Sequence, residues 1–195
     1  IVFSVSGSEL AITSGGVLTF VSAPDYETKS SYSATVTATD GTNSSTQDIT
    51  VNVTNVNDNA PSVTSSGTFS AAENQTAIGT VAATDADGDT IAYSLSGADA
   101  SSMSINSSSG VLMFNSAPDY ETKTSYTATV TVSDGANSAT QGITVNITNV
   151  NDIMPVITSS TSFSAPENQT AIGAVTATDA EGCLLYTSDA ADDPT

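Results

Sequence analysis

Ala23-Pro24-Asp25-Tyr26-Glu27-Thr28-Lys29 returns letter for letter as Ala117-Pro118-Asp119-Tyr120-Glu121-Thr122-Lys123, 94 residues further on. The same offset relates Asn55-Val56-Asn57-Asp58 to Asn149-Val150-Asn151-Asp152, and Glu73-Asn74-Gln75-Thr76 to Glu167-Asn168-Gln169-Thr170. Residues 22–61 match 116–155 at 30 of 40 positions, and 62–88 match 156–182 at 19 of 27. The chain is therefore a tandem array. A spacing of 94 residues is too long for one turn of a solenoid and fits one β-sandwich domain of about 100 residues.

Within a repeat, Tyr126, Ala128, Val130 and Val132 alternate with Thr and Ser, and Ile143, Val145 and Ile147 do the same. Period-two alternation rich in Val and Thr predicts half-buried antiparallel strands. Asp87-Gly88, Ser109-Gly110 and Asp134-Gly135 supply the turns between them. No segment carries a helical apolar stripe, so the expected fold class is all-β, with β-sandwiches in tandem. The offset predicts a truncated repeat over 1–54, a junction over 55–61, a complete repeat over 62–148, a second junction over 149–155 and the start of a third repeat over 156–182. Both junctions end in proline, which restricts the angle of the next domain. After Gly182 the repeat stops. Cys183–Asp193 instead resembles one reading frame of a transposon-derived sequencing adapter, and residues 183–195 are expected to be an artefactual tail.

Charge narrows the function. Twenty-one acids face two cations, Lys29 and Lys123, for a net charge of −19. That excludes nucleic acid, which needs clustered Lys and Arg, and a basic patch on anionic lipid. There is no His, so imidazole bases and His-liganded metals are absent by count. The single Cys183 cannot close an internal disulfide. No run reaches the ~18 apolar residues of a membrane span. Membrane association is expected only through parts of the parent protein outside this stretch.

The acids are not scattered. Fourteen of the 21 fall in loops, at repeat-equivalent positions: Glu73 and Glu167; Asp85, Asp87, Asp179 and Glu181; Asp25, Glu27, Asp119 and Glu121; Asp40 and Asp134; Asp58 and Asp152. Like charges gathered without Lys or Arg are costly unless a cation joins them. Oxygen-only donors point to a hard cation, and loose loops suit calcium better than octahedral magnesium. Asp85-Ala86-Asp87-Gly88-Asp89 is no EF-hand, because its twelfth position is Ser96 and no helices flank it.

In order and spacing these motifs resemble the cadherin repeat. Ala72-Glu73-Asn74 and Pro166-Glu167-Asn168 look like its first-strand glutamate motif, and Asp25-Tyr26-Glu27 and Asp119-Tyr120-Glu121 like its Asp-x-Glu motif. Asp85-Ala86-Asp87 looks like Asp-x-Asp, and Asn55-Val56-Asn57-Asp58-Asn59-Ala60-Pro61 like its junction motif. The resemblance covers residues 1–182. It implies seven-stranded Greek-key sandwiches, cadherin-like and Ig-like, with calcium ions between successive domains. Carried over, the first junction would use Asp25 and Glu27, then Asn57, Asp58 and the carbonyl of Asn59, then Asp85, Asp87 and Asp134. The second would use Glu73, Asp119 and Glu121, then Asn151 and Asp152, then Asp179 with Glu181. Asn55 and Asn149 replace the family's leading Asp, Ile153 replaces an Asn and Glu181 an Asp. The short loop after Asp87 resembles cadherin-like repeats of large bacterial surface proteins.

Other chemistry is weighed against this. Tyr26 and Tyr120 are expected to pack their loops and not to act as catalytic phenols. The pair Asp119 and Glu121 has the residue types of a glycosidase, but it recurs in each repeat with no aromatic cleft, so no enzyme is expected. Six Asn-x-Ser/Thr sequons are what a Ser/Thr-rich chain produces by chance. Three functions stay open: a calcium-stiffened stalk or adhesin repeat at the cell surface or outside the cell; a module that itself binds surface proteins or glycans; and a carbohydrate- or protein-binding accessory module of a secreted hydrolase.

Overall fold

The structure, a computed structural model, describes residues 1–182. The expected artefactual tail, 183–195, lies outside the described residues. The described residues divide into two compact units: Ile1–Thr64 with Ala83–Ala92 and Val132–Ala139, and Ser65–Ala82 with Tyr93–Thr131 and 140–182.

In the first unit, strands Val2–Val5, Ser31–Thr39 and Ser44–Asn52 form an antiparallel sheet with Ser31–Thr39 at its centre. The hairpin closes at Thr39↔Ser44. There the Asp40 carboxylate accepts the N–H groups of Thr42 and Asn43 at 2.9 and 2.7 Å, an Asx-type turn of the kind its sequence favours. Leu10–Ile12 pairs with Leu18–Phe20, and Leu10 is buried. Ser62–Val63 pairs with Ala83–Thr84.

The second unit holds most of the main core, whose strands run on into the first. Strands Ala92–Ser96, Ser125–Ser133, Ser138–Thr148 and Thr68–Ala72 form a four-stranded sheet in that order. Its last pair is parallel, from Thr144↔Thr68 to Thr148↔Ala72. Met103–Ile105, Val111–Phe114 and Ala77–Thr80 form a three-stranded antiparallel sheet with a register shift between Leu112 and Met113. The two sheets make the seven-stranded Greek-key sandwich that the resemblance implies. Ala128, Val130 and Val132 are buried from one strand and Ile143, Val145 and Ile147 from the next, as are Leu112 and Phe114 of the other sheet. Each fully buried Val or Leu contributes about 1.5–3 kcal/mol. Gly110 makes the turn before Val111 at φ +69°, and a Cβ there would lie 2.2 Å from the Val81 carbonyl, so this position requires glycine. Val156–Ile157 pairs with Ala177–Thr178 in the register of Ser62–Val63 with Ala83–Thr84.

The only helix among the described residues is a 3₁₀ turn at Ala100–Ser102, and no helix is long and apolar enough to cross a membrane. Of the tyrosines expected to pack, Tyr120 is half-buried and Tyr26 is 38% exposed.

Candidate metal centres

Each unit carries one cluster of carboxylates drawn from separate loops. In the first, Glu27, Asp58 and Asp87 bring carboxylate oxygens within 4.8 Å of one another, and Asp85, Asp87 and Asp89 form an adjoining group. The Asp-x-Asp turn places them. The Asp85 carboxylate accepts from the N–H of Asp87 at 3.0 Å and of Asp89 at 3.2 Å, which folds the loop so that Asp87 points at the junction. Asp87 Oδ2 then accepts the N–H groups of Asp58 and Asn59 at 3.1 and 2.8 Å, and Oδ1 the Asn59 amide at 2.9 Å. Asn55 donates to the Asp87 carbonyl at 2.8 Å. Asp134 caps its own turn through Ala136 and Asn137, and the Asn137 amide donates to Asn57 Oδ1 at 2.9 Å.

In the second unit Glu73, Glu121 and Glu181 come within the same 4.8 Å. Glu73 is only 3% exposed. Its Oε1 accepts the Val150 N–H at 2.7 Å and its Oε2 the Tyr120 N–H at 2.8 Å, so one side chain ties the Asp-Tyr-Glu loop to the junction. Glu181 Oε1 accepts the N–H groups of Asp152 and Ile153 at 2.6 and 3.2 Å. Asp179 holds that loop by accepting the Glu181 N–H at 3.0 Å, and the Asn74 amide donates to Asp152.

The electrostatics split the acids. Partial loss of water raises the Glu27 carboxyl above its ordinary value, with the Asp87 and Asp25 carboxylates adding to it. Glu121 is raised for the same reason, with Glu73, Asp119 and Glu181 as repelling neighbours. Asp87 is lowered, chiefly by the Asn59 amide, and Asp25 and Asp119 by the hydroxyls of Thr28 and Thr122. Among the described residues, the buried side-chain oxygens without a hydrogen-bond partner include Asp85 Oδ2 and Glu181 Oε2. Buried carboxylate oxygens are normally satisfied, and neither ammonium reaches these clusters: Lys29 pairs with Glu9 and Lys123 with Asp99. Donor chemistry and orphaned oxygens both fit a hard cation.

The structure thus gathers Glu27, Asp58 and Asp87 with Asp85 alongside, and Glu73, Glu121 and Glu181. Asp25, Asp119, Asp134, Asp152 and Asp179 are not in those groups; the carboxylates of Asp25, Asp119 and Asp134 bond within their own turns. The Asn59 carbonyl, expected to face the junction, accepts the Asn137 amide at 3.5 Å, and the Asn59 side-chain amide donates to Asp58 and Asp87. Asp89 and Asn137 are additions that sequence reasoning missed. Asn137 has a readable signal, since Asn43 occupies the same place one repeat earlier.

Residues 67–148 match the family profile of the cadherin domain. The chain is 34% identical over 161 residues to the protocadherin-like wing polarity protein stan of Drosophila melanogaster, covering 74% of this chain and 4% of that protein. It is 35% identical over 156 residues to human protocadherin Fat 1, covering 72% and 3%. Among solved structures, the extracellular cadherin domains 3–6 of protocadherin gamma B2 superpose with a TM-score of 0.78 at 27% identity, over 91% of this chain and 50% of that one. The chain thus spans a few per cent of these curated relatives and half of the solved one. Repeat spacing, sandwich topology and relatives agree, and the chain belongs to the cadherin family.

Proposed function

We propose that the two acid clusters bind calcium and that the bound ions stiffen the joints between successive repeats, so that the array serves as a stalk or adhesive spacer of a large surface protein. The observation that carries this reading is the pair of orphaned carboxylate oxygens, Asp85 Oδ2 and Glu181 Oε2, in clusters that no basic side chain enters. A bound calcium ion would supply the missing positive charge. Asp25, Glu27, Asn57, Asp58, Asp85, Asp87 and Asp134, with the Asn59 carbonyl, would hold it at the first junction. Glu73, Asp119, Glu121, Asn151, Asp152, Asp179 and Glu181 would do so at the second. The repeat boundaries used are those of the 94-residue offset. The setting is extracellular, the solved relatives being extracellular cadherin domains, and the role is non-catalytic. Contacts with other surface proteins or glycans belong to the same reading.

Extracellular calcium modules bind with a Kd of about 10⁻⁴–10⁻³ M, and at about 100 times Kd one site adds about 2.7 kcal/mol. The full chain should therefore melt at a higher temperature in millimolar calcium than in chelator. Equal melting temperatures would remove the metal from this proposal.

A further inference from the structure

Lysine occurs twice in 195 residues, and both times directly after the Asp-Tyr-Glu-Thr turn. Each turn closes on itself in the same way. The Lys29 N–H donates to the Asp25 carbonyl and the Lys123 N–H to that of Asp119, both at 2.9 Å. The Thr28 and Thr122 hydroxyls donate to the Asp25 and Asp119 carboxylates at 2.9 and 2.8 Å. These bonds shape the turn without tying it to the sandwich. In both units a lysine side chain does that, joined in the second by the Glu73 carboxylate on the Tyr120 N–H. Lys29 Nζ lies 4.4 Å from the centre of the Tyr32 ring and 2.6 Å from Glu9. Lys123 Nζ lies 4.5 Å from the Tyr126 ring and pairs with Asp99. Each tyrosine is met edge-on by a phenylalanine, Phe20 at 5.0 Å and Phe114 at 4.9 Å, and Phe114 is in the core.

The acids that receive the two lysines are repeat equivalents. Phe3-Ser4-Val5-Ser6-Gly7-Ser8-Glu9 aligns with Tyr93-Ser94-Leu95-Ser96-Gly97-Ala98-Asp99, with extra residues in the second repeat directly after Asp99. The ion pair thus recurs with the turn it serves, with Glu in one unit and Asp in the other. An exposed ion pair adds little stability by itself, and a positive charge beside a cation site opposes that site. We infer that Lys29 and Lys123 are positioning residues: each pins its acidic turn to an aromatic base, so that Glu27 and Glu121 stand in their clusters before any cation arrives. The identity of the cation rests on the calcium reading above. The pinning of the turn does not.

The two effects of removing the charge have opposite signs, which makes the test decisive. In the full chain, Lys123→Met should speed amide exchange at Thr122 and Lys123 in chelator, while Val130 exchanges as before. It should also weaken calcium binding at the second cluster by about fivefold, the low end of coupling between separated sites. Lys123→Arg keeps the charge and stacks on the ring, and should restore both. Unchanged exchange at the turn, equal loss of protection at Val130, or tighter calcium binding by Lys123→Met would each overturn the proposal. If the unaltered chain binds no calcium, the calcium reading fails by itself and the exchange comparison still decides the pinning.

Discussion

Asp87 in the first unit and Glu181 in the second occupy the same position of the repeat, and both receive two linker N–H groups on a single oxygen. They differ in what happens to the other oxygen. Asp87 Oδ1 is taken by the Asn59 amide at 2.9 Å, whereas Glu181 Oε2 is buried and unpartnered. The cause is one linker residue: the second junction has Ile153 where the first has Asn59. A carboxylate whose second oxygen is held by an amide is partly neutralised in advance, and one whose oxygen is orphaned waits for a partner. At this position the first cluster is therefore the better satisfied without an ion, its orphaned oxygen lying instead on Asp85, and the second has more to gain from one. Glu73 widens the difference, because it brings a buried third carboxylate to the second cluster.

The most severe way to break this contrast is Glu73→Ala. It would strip partners from the part-buried N–H groups of Tyr120 and Val150, and an orphaned donor costs about 1–3 kcal/mol where water does not replace the partner. Urea unfolding in chelator should show a loss of about 2–4 kcal/mol confined to the second unit. An unaltered midpoint would mean that Glu73 does not hold the loop to the junction.

Acidification sharpens the comparison at both sites. Glu27 and Glu121 are raised above the ordinary glutamate value of 4.5, so without calcium their contribution is stabilising at low pH and lost as pH rises through the raised value. Asp25, Asp87 and Asp119 are lowered below 3.8 and contribute above that value. On going from pH 7 towards 4.5, the two glutamates therefore take up protons first. The chelated chain should become more stable as calcium affinity falls, and the gap between melting temperatures with and without calcium should narrow. A gap that stayed constant over this range would exclude Glu27 and Glu121 from the sites.

Much of this was legible in the sequence, for reasons that also mark the limit. Alternation along Tyr126–Val132 gave the buried face, since period two is a local property of a strand. The parallel pairing of Thr68–Ala72 with Thr144–Thr148 is set by contacts some 76 positions apart and leaves no local trace. In the site, the 94-residue offset located the acidic loops, because a recurring carboxylate is visible as a letter. Which oxygens meet was not visible. Asn59 and Asn137 act through side-chain amides, and whether an Asn offers its amide or its carbonyl depends on the partner the fold brings to it. The orphaned oxygen of Glu181 likewise appears only once the fold brings the second linker to Glu181 through the other oxygen.

The smallest expected effect tests that point directly. Ile153→Asn would place an amide where Asn59 stands one repeat earlier, within reach of Glu181 Oε2 if the second linker follows the first. A new hydrogen bond to a buried carboxylate oxygen would stabilise the chelated chain by about 1 kcal/mol. The same bond would compete with the cation, so the calcium increment should fall by a similar amount. Asn59→Ile is the mirror experiment: it frees Asp87 Oδ1, so it should lower stability in chelator and enlarge the calcium increment at the first cluster. Ile153 is itself partly exposed, so losing its apolar contact subtracts only a fraction of the gain. Calorimetric titration of both variants beside thermal melts separates the two terms. If the variants shift the increment in the same direction, or if neither shifts it, the amide at this linker position does not decide how far each cluster depends on a cation.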